Sequence, residues 1–207
     1  MELIKHLNNN NINIVEITDE FNLVYKCDKS VLLKTIEKNQ INNYKIKYLC
    51  KNSKCNLLDY QNLNCRIEPG ALIRDKVILG NNVVVMMGAI INIGASIGDN
   101  TMIDMGAVIG SKAKIGKNCH ISAGAVIAGV IEPPSKKEVI IEDNVFVGSN
   151  AVIFEGVTIK SGSVIGAGSI VTKDVPNNVL VYGNPAKVIR EITKEIIHQT
   201  EINLKIR

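Results

Sequence analysis

An aliphatic residue recurs at every sixth position along about half of this 207-residue chain. The repeat runs from Ile67 to Ile127, breaks across residues 130–140, and resumes out of phase from Ile141 to Val171. All seventeen hexads carry Ile, Leu or Val at position one. Neither the period of a helix nor the two-residue alternation of an ordinary strand produces this pattern. Short strands that each end in a sharp corner do produce it.

Two further hexad positions support stacked strands. Position four is Gly or Asn in 13 of the 17 hexads, and these residues adopt a positive φ most readily, which indicates a corner. Position five is Ala, Val, Thr, Cys or Ser in 16 of the 17, which indicates a narrow interior. Stacked coils place strands ~4.8 Å apart and bury an aliphatic column. Three hexads per turn would give a triangular prism of five to six coils. The period alone does not determine the number of sides or the handedness of the winding.

The composition suits thin, similar layers and argues against several functions. Aromatic residues make up 4% of the chain and Trp is absent, so aliphatic residues must fill the core. The net charge of +4 comes without a basic tract, which argues against nucleic-acid or membrane binding. The five Cys are odd in number, and Cys50 and Cys55 lack a second Cys or His pair, which favours reduced thiols over a zinc site. Because no signal-peptide core or run of 18 apolar residues is present, we expect a cytoplasmic protein.

The repeat divides the chain into three predicted parts of a mainly β protein. Residues 1–60 lack the repeat and are predicted to form a small cap, α-rich or α+β. Residues 61–182 are the predicted β-helix, and residues 183–207 are a predicted C-terminal helical extension. The two flanking predictions depend on helical spacing of Val31, Leu32, Ile36 and Ile41, and of Val188, Ile189, Ile192, Ile196 and Ile197.

The hexads resemble those of the hexapeptide-repeat acyltransferases, which fold as left-handed parallel β-helices and work as trimers. The resemblance covers about residues 56–192. The stretches "NLNCRIEPGALIRDKVILGNNVVVMMGAIINIGASIGDNTMIDMGAVIG" and "KIGKNCHISAGAVIAGVIEPPSKKEVIIEDNVFVG" look like the tetrahydrodipicolinate N-acetyltransferases of bacterial lysine synthesis. The second is also similar to the N-succinyltransferases of that pathway. The N-terminal 55 residues depart from the family, being shorter and more divergent than its cap.

An N-acetyltransfer needs a proton acceptor near the amine, a donor for the developing oxyanion, and a groove that holds acetyl-CoA. Asp104 occupies position two, an outward phase that Gly98, Gly110 and Gly116 share. Its stretch "NTMIDMG" is similar to "GTMVDTW" of the succinyltransferases, where the Asp is an active-site residue; the alternative is a solvated surface Asp. His120 is the only His in the coils, and the resemblance implies a general base; the alternative is a structural or exposed His.

The resemblance also implies roles for the end of the first run of coils, "AGVIEPP". Gly129 would lie against the acyl thioester, with an unpaired N–H near the carbonyl oxygen. Glu132 would be a second acid or a substrate contact. The alternative is a plain turn marked by Pro133 and Pro134. The loop "EPPSKKEV" resembles one that reaches a neighbouring subunit, so we expect a homotrimer with active sites between subunits.

The remaining candidates follow from the implied ligands. A dicarboxylate acceptor should need cations and hydrogen-bond donors. The candidate acceptor residues are Arg66, Arg74, Ser122 and Glu132, and the candidate acetyl-CoA residues are Gly148, Ser149, Gly166, Ala167, Lys173, Lys187 and Arg190. We expect Gly148, Ser149, Gly166 and Ala167 to expose backbone that faces the pantetheine arm. We expect the cations to contact the phosphates. No metal is implied.

Three alternatives remain open at the level of sequence. The acceptor could be another amine or hydroxyl compound, such as an amino sugar, or the donor could be succinyl-CoA. A zinc enzyme like the γ-type carbonic anhydrases would need several His, and the coils contain only His120. A non-catalytic scaffold would need only the repeat, without Asp104, His120 or the "EPP" loop.

Overall fold

The structure is a computed structural model that describes residues 13–17, 23–26, 29–38, 40, 57–130 and 137–193. The chain divides into two compact units, Met1–Asn52 and Ser53–Arg207. Several residues of the sequence argument lie outside the described residues, namely Cys27, Cys50, Cys55, Ile41, Glu132, Pro133, Pro134, Ile196 and Ile197. No helix among the described residues is long and apolar enough to cross a membrane.

The described residues of the first unit form two antiparallel strands and a helix. Strand β1 (Asn13–Ile17) pairs with β2 (Leu23–Lys26), with an irregularity in register between Ile14 and Glu16. Helix α1 (Lys29–Lys38) follows, as its apolar spacing predicts, and Ile36 is buried. Lys38 lies in the last turn, where a cation interacts favourably with the helix dipole.

The second unit is a left-handed parallel β-helix of about six turns. Its strands β3–β19 are two residues each, and each of β3–β16 pairs in parallel register with the strand three positions later. Three hexads therefore make one coil, and the prism has three faces. The hand departs from the usual right-handed crossover rule.

The faces are numbered in the order in which the chain enters them. Face 1 contains β3 (Arg66–Ile67), β6 (Val84–Val85), β9 (Met102–Ile103), β12 (His120–Ile121), β15 (Phe146–Val147) and β18 (Val164–Ile165). Face 2 contains β4 (Leu72–Ile73), β7 (Ile90–Ile91), β10 (Val108–Ile109), β13 (Val126–Ile127), β16 (Val152–Ile153) and β19 (Ile170–Val171). Face 3 contains β5 (Ile78–Leu79), β8 (Ser96–Ile97), β11 (Lys114–Ile115), β14 (Ile140–Ile141) and β17 (Thr158–Ile159). Edge 1–2 follows the strands of face 1, edge 2–3 those of face 2, and edge 3–1 those of face 3.

The core is the aliphatic column predicted from position one. Ile91, Ile103 and Ile121 are fully buried, and small position-five residues such as Ala107 and Ala125 are buried beside them. Burying one such Ile side chain stabilises the fold by roughly 1.5–3 kcal/mol. The interior repeats the same thin layer in each coil, which explains why the chain does without Trp.

Position four forms the corners, as predicted. It has a positive φ in every hexad except those with Val130 and Asp174. Lys76 and Lys112 adopt this conformation too, with φ of 59° and 61°. The corner geometry therefore belongs to the coil, and Gly or Asn only makes it less costly.

The break in the repeat falls between two strands of the stack, β13 and β14. Residues 128–139 connect β13 to β14, whereas other neighbouring strands of the stack are four residues apart. After the loop, β14 pairs with β11, and β15 pairs with β12 so that His120 lies opposite Phe146. The insertion consequently changes sequence spacing across the stack without changing the stacking.

The end of the prism corrects one prediction. Strand β20 (Val179–Gly183) extends face 1, and β21 (Ala186–Glu191) pairs antiparallel with it. The predicted C-terminal helix is therefore wrong for residues 186–191, because the open edge of β20 pairs with this segment. Residues 194–207 lie outside the described residues, so a helix there stays a prediction.

Candidate active site

Most of the candidate residues lie on face 1 or on the edge that follows it, edge 1–2. Its position-two column, read from the first coil upward, is Glu68, Met86, Asp104, Ser122, Gly148 and Gly166. Asp104 directly follows β9, Ser122 follows β12 one coil above, and His120 is the first residue of β12. The parallel register thus brings Asp104, His120 and Ser122 onto adjacent coils.

Asp104 and His120 form a hydrogen-bonded pair. The Oδ2 atom of Asp104 lies 3.3 Å from Nε2 of His120, and the side chains are 21% and 26% exposed. Oδ1 of Asp104 accepts a 2.7 Å hydrogen bond from the N–H of Met105, which fixes the carboxylate. A fixed carboxylate selects the imidazole tautomer with its proton on Nε2 and would stabilise the protonated ring. The pair can accept a proton at the surface.

The register partners of His120 are two residues that the sequence argument did not select. Phe146, one coil above, meets His120 with the ring centroids 5.1 Å apart and the planes at 65°. Met102, one coil below, is 7% exposed. Both could have been found by placing every position six of face 1 in one column and allowing for the inserted loop.

Arg66 begins face 1 three coils below His120, but its guanidinium reaches upward. Nε forms a 3.3 Å ion pair with Glu68, and Nη2 lies 3.5 Å from Sδ of Met86. Met86 is one coil, or ~4.8 Å, below Asp104 in the same column. The structure therefore places a cation on the edge that carries the Asp104–His120 pair. Sequence reasoning selected Arg66 but missed Glu68 and Met86.

Three candidates lie on a different edge. Gly129, Arg74 and Lys173 are on edge 2–3, which face 2 separates from the edge that carries Asp104. Gly129 packs closely on Gly110, where an added Cβ would lie 2.1 Å from the Gly129 nitrogen. None of the residues that the structure describes accepts a hydrogen bond from the Gly129 N–H. Within a single chain, Gly129 therefore does not lie beside His120.

The flank of small residues expected around Asp104 also divides among edges. Gly98 and Gly116 lie on edge 3–1 and Gly110 on edge 2–3, so none of them borders Asp104. The expectation was wrong because position two recurs on all three edges of each coil. The small residues that do share the edge with Asp104 are Gly148 and Gly166, above it.

The upper part of edge 1–2 contains the acetyl-CoA candidates. Ser149 and Ala167 are exposed as predicted, but Gly148 is buried, and its N–H donates to the Ile165 carbonyl at 2.8 Å. The Gly166 N–H donates to the Val181 carbonyl, and the Tyr182 ring covers the Gly166 Cα. Packing explains why both residues are glycine, because the next coil leaves no room for a Cβ. Lys187 and Arg190 are exposed on β21.

Comparison with known proteins identifies the family. The bacterial transferase hexapeptide model matches residues 94–129, and the hexapeptide repeat of succinyl-transferase matches residues 138–173. A 2,3,4,5-tetrahydropyridine-2,6-dicarboxylate N-acetyltransferase of Clostridium perfringens is 53% identical over 89% of this chain and 78% of its own length. One of Clostridium botulinum is 57% identical over 83% of this chain and 73% of its own length. The chain belongs to this N-acetyltransferase family.

The family assignment makes the chain an acyltransferase, and solved structures agree in fold. PerB of Caulobacter crescentus, solved in complex with CoA and GDP-perosamine, superposes with a TM-score of 0.56. It is 35% identical, and the match covers 61% of this chain and 57% of PerB. In this member of the N-acetyltransferase family, Asp104, His120 and Gly129 all lie inside the first matched hexapeptide segment. No group of three His, Cys, Asp or Glu residues in the described part could hold a metal.

Proposed function

We propose that this chain is an acetyl-CoA-dependent N-acetyltransferase for tetrahydrodipicolinate, in its ring-opened L-2-amino-6-oxopimelate form, on the diaminopimelate route to lysine. The observation that carries the proposal is the Asp104–His120 pair, 3.3 Å apart on edge 1–2. The identity of 53% to a relative of that name supports the acceptor. Because acetyl-CoA is a cytoplasmic metabolite, the proposal places the activity in the cytoplasm.

His120 is the proposed general base, and Asp104 orients it. The Asp104 carboxylate holds the Nε2 proton of the neutral ring, so the lone pair that accepts a proton is on Nδ1. The acceptor nitrogen attacks the thioester carbon, the N–C bond forms, and the imidazole takes the amine proton. When the C–S bond breaks, the imidazolium returns that proton to the leaving thiolate. The transfer is direct and needs no nucleophilic side chain.

Arg66 is the proposed partner of the carboxylate distal to the amine. Its guanidinium, at Met86, lies two coils or ~10 Å below His120 along the stack. An extended seven-carbon amino acid can lie along edge 1–2 with its amine at His120 and its far carboxylate at Arg66. Ser122, 5% exposed, is the proposed hydrogen-bond donor on the other side of Asp104. Arginine suits this role because its planar fork binds a carboxylate through two hydrogen bonds.

A second copy of the chain is proposed to complete the site. The outward residues of face 2 are all aliphatic, namely Leu72, Ile90, Val108, Val126, Val152 and Ile170. Leu72 and Ile90 are 49% and 41% exposed, and a continuous apolar face of this kind supports a subunit interface. Face 2 lies between edge 1–2, which carries Asp104, and edge 2–3, which carries Gly129. We therefore propose a homotrimer in which edge 2–3 of one subunit, with Gly129, Arg74 and Lys173, meets edge 1–2 of the next.

In that arrangement the upper half of edge 1–2 is the proposed acetyl-CoA groove. The exposed Ser149 and Ala167 would border the pantetheine arm, and Gly148 and Gly166 would contribute by having no side chain. Lys187 and Arg190 are the proposed phosphate contacts. The N–H of Gly129, which has no acceptor among the described residues, is the proposed donor to the oxyanion that forms on the thioester carbonyl.

A thiol-release assay tests the proposal. Tetrahydrodipicolinate with acetyl-CoA should release CoA, whereas the same acceptor with succinyl-CoA should release little. An amino-sugar nucleotide is the matched alternative acceptor, because PerB was solved with GDP-perosamine. Turnover with the amino sugar and none with tetrahydrodipicolinate would overturn the acceptor. Release from succinyl-CoA at the higher rate would overturn the donor.

A further inference from the structure

We infer that Phe146 is a positioning residue that fixes the orientation of the His120 ring. The inference rests on the proposed function for its catalytic consequence, but the contact itself is geometric. His120 and Phe146 are partners in the parallel register of β12 and β15, and their rings meet edge to face at 5.1 Å. The half-buried Phe146 and the buried Met102 are the register partners of His120 on the coils above and below.

The contact with Phe146 restrains a rotation that a hydrogen bond to one ring nitrogen does not by itself prevent. The χ2 torsion of His is broad and nearly two-fold, so a flip of the ring exchanges nitrogen for carbon at similar positions. The hydrogen bond between Asp104 and Nε2 of His120 is long, at 3.3 Å. A neighbouring ring with a preferred edge-to-face geometry resists the flip, because the flip changes which edge of the imidazole meets it.

The place of Phe146 in the chain strengthens the inference. The other side chains of this column on the coils nearest His120 are Val84, Met102 and Val164, and all three are aliphatic or thioether groups. The aromatic residue lies directly over the imidazole. It is also the first residue of face 1 after the inserted loop, so the return of the chain to register at β15 sets this contact.

Two substitutions separate the effect of the aromatic ring of Phe146 from the effect of the size of its side chain. Phe146→Leu keeps an apolar side chain and removes the ring, whereas Phe146→Tyr keeps the ring. Ile140→Ala is the matched control, since Ile140 is also the first residue of a strand and half-buried, but on face 3. The readout is the imidazole ¹⁵N spectrum of His120 at a pH where the ring is neutral, recorded together with kcat and both KM values.

In the unsubstituted protein, His120 should show the single tautomer with its proton on Nε2. Phe146→Leu should show a mixture of tautomers and a kcat roughly 3- to 10-fold lower, the scale of an aromatic pair, with KM unchanged. Phe146→Tyr and Ile140→Ala should match the unsubstituted protein. A single tautomer and full kcat in Phe146→Leu would overturn the inference. If that variant does not fold, Phe146→Met provides the same test with a more flexible apolar side chain.

The experiment also separates this inference from the proposed function. If His120→Asn kept full turnover, His120 would not be the base, and the proposed mechanism would fail. The tautomer spectrum of Phe146→Leu would still decide whether Phe146 positions the ring. If His120→Asn abolished turnover and the spectrum of Phe146→Leu did not change, only the inference about Phe146 would fail.

Discussion

Edges 3–1 and 1–2 have the same backbone corners but use them differently. On edge 3–1 position four is mostly Asn, and side-chain amides hydrogen-bond from coil to coil at 3.1–3.3 Å, joining Asn64, Asn82, Asn100, Asn118 and Asn144. On edge 1–2 position four is mostly Gly, and a Cβ at Gly106 or Gly168 would meet nothing within 4 Å. One edge is closed by its own side chains, and the other leaves space for a ligand.

The charges on the two edges differ in the same way. On edge 3–1, Lys117 pairs with Asp99 at 2.9 Å, and this hydrogen bond lowers the pKa of the Asp99 carboxyl. The Lys160 ammonium likewise lowers the pKa of Glu142. On edge 1–2, the ion-pair partner of Asp104 in the described part of the chain is an imidazole. A carboxylate paired with lysine is neutralised, whereas one paired with histidine can assist proton transfer.

The largest expected effect comes from Asp104→Asn. The amide cannot stabilise the protonated His120 ring, so kcat should fall at least about 100-fold, the scale for loss of general-base catalysis. Asp99→Asn, the same change on edge 3–1, should keep normal turnover. Steady-state kinetics and thermal unfolding of both variants test the difference. Near-normal turnover in Asp104→Asn would remove Asp104 from the mechanism.

The next effect concerns Cys119, which lies under edge 3–1. Burial raises the pKa of this thiol to about 11, and Sγ lies 3.1 Å from the Glu142 carbonyl. At pH 8 its thiolate fraction should be roughly 100-fold below that of an ordinary cysteine. Alkylation followed by peptide mass spectrometry should find Cys119 unlabelled in the native protein and labelled in denaturant. Rapid native labelling would show that the closed edge opens.

Gly106→Asn tests whether the open edge must stay open. Asn tolerates the φ of 65° at this corner, so the fold should be kept. The new side chain would enter the space beside Asp104 and should lower kcat/KM by about 10-fold or more, since small displacements of reacting groups are costly. Kinetics and the unfolding midpoint are the measurements. Unchanged kinetics in a folded variant would mean that the acceptor does not use this space.

The reciprocal change, Asn100→Gly, should affect stability and leave catalysis alone. Asn100 accepts a hydrogen bond from Asn82 at 3.2 Å and donates one to Asn118 at 3.1 Å. Losing both should lower the free energy of unfolding by about 1–3 kcal/mol. Denaturant unfolding measures the loss, and kcat/KM is the control. A variant with full stability and impaired turnover would reverse the roles assigned to the two edges.

Sequence reasoning was most successful where the repeat itself carries the information. The core residues and the corners follow from position in the hexad, and the structure confirms them. The period left the number of sides open, and the strand pairing shows three hexads per coil. Sequence reasoning was least successful where a local pattern has two solutions. The spacing of Val188 and Ile189 suits a helix, but β20 offers an open edge, and the segment pairs with it as β21.

The sequence by itself determined the period, the buried column, the corners and the outward phase of Asp104, because each depends only on the position of a residue within its hexad. Tertiary structure decided which outward residues meet. Asp104 and His120 are 16 residues apart and in contact, because stacking joins residues one coil apart. Gly129 is nearer to His120 in the chain, yet it lies on another edge. Phe146 reaches His120 only because the chain after the break in the repeat pairs in register with β12, which the period cannot reveal.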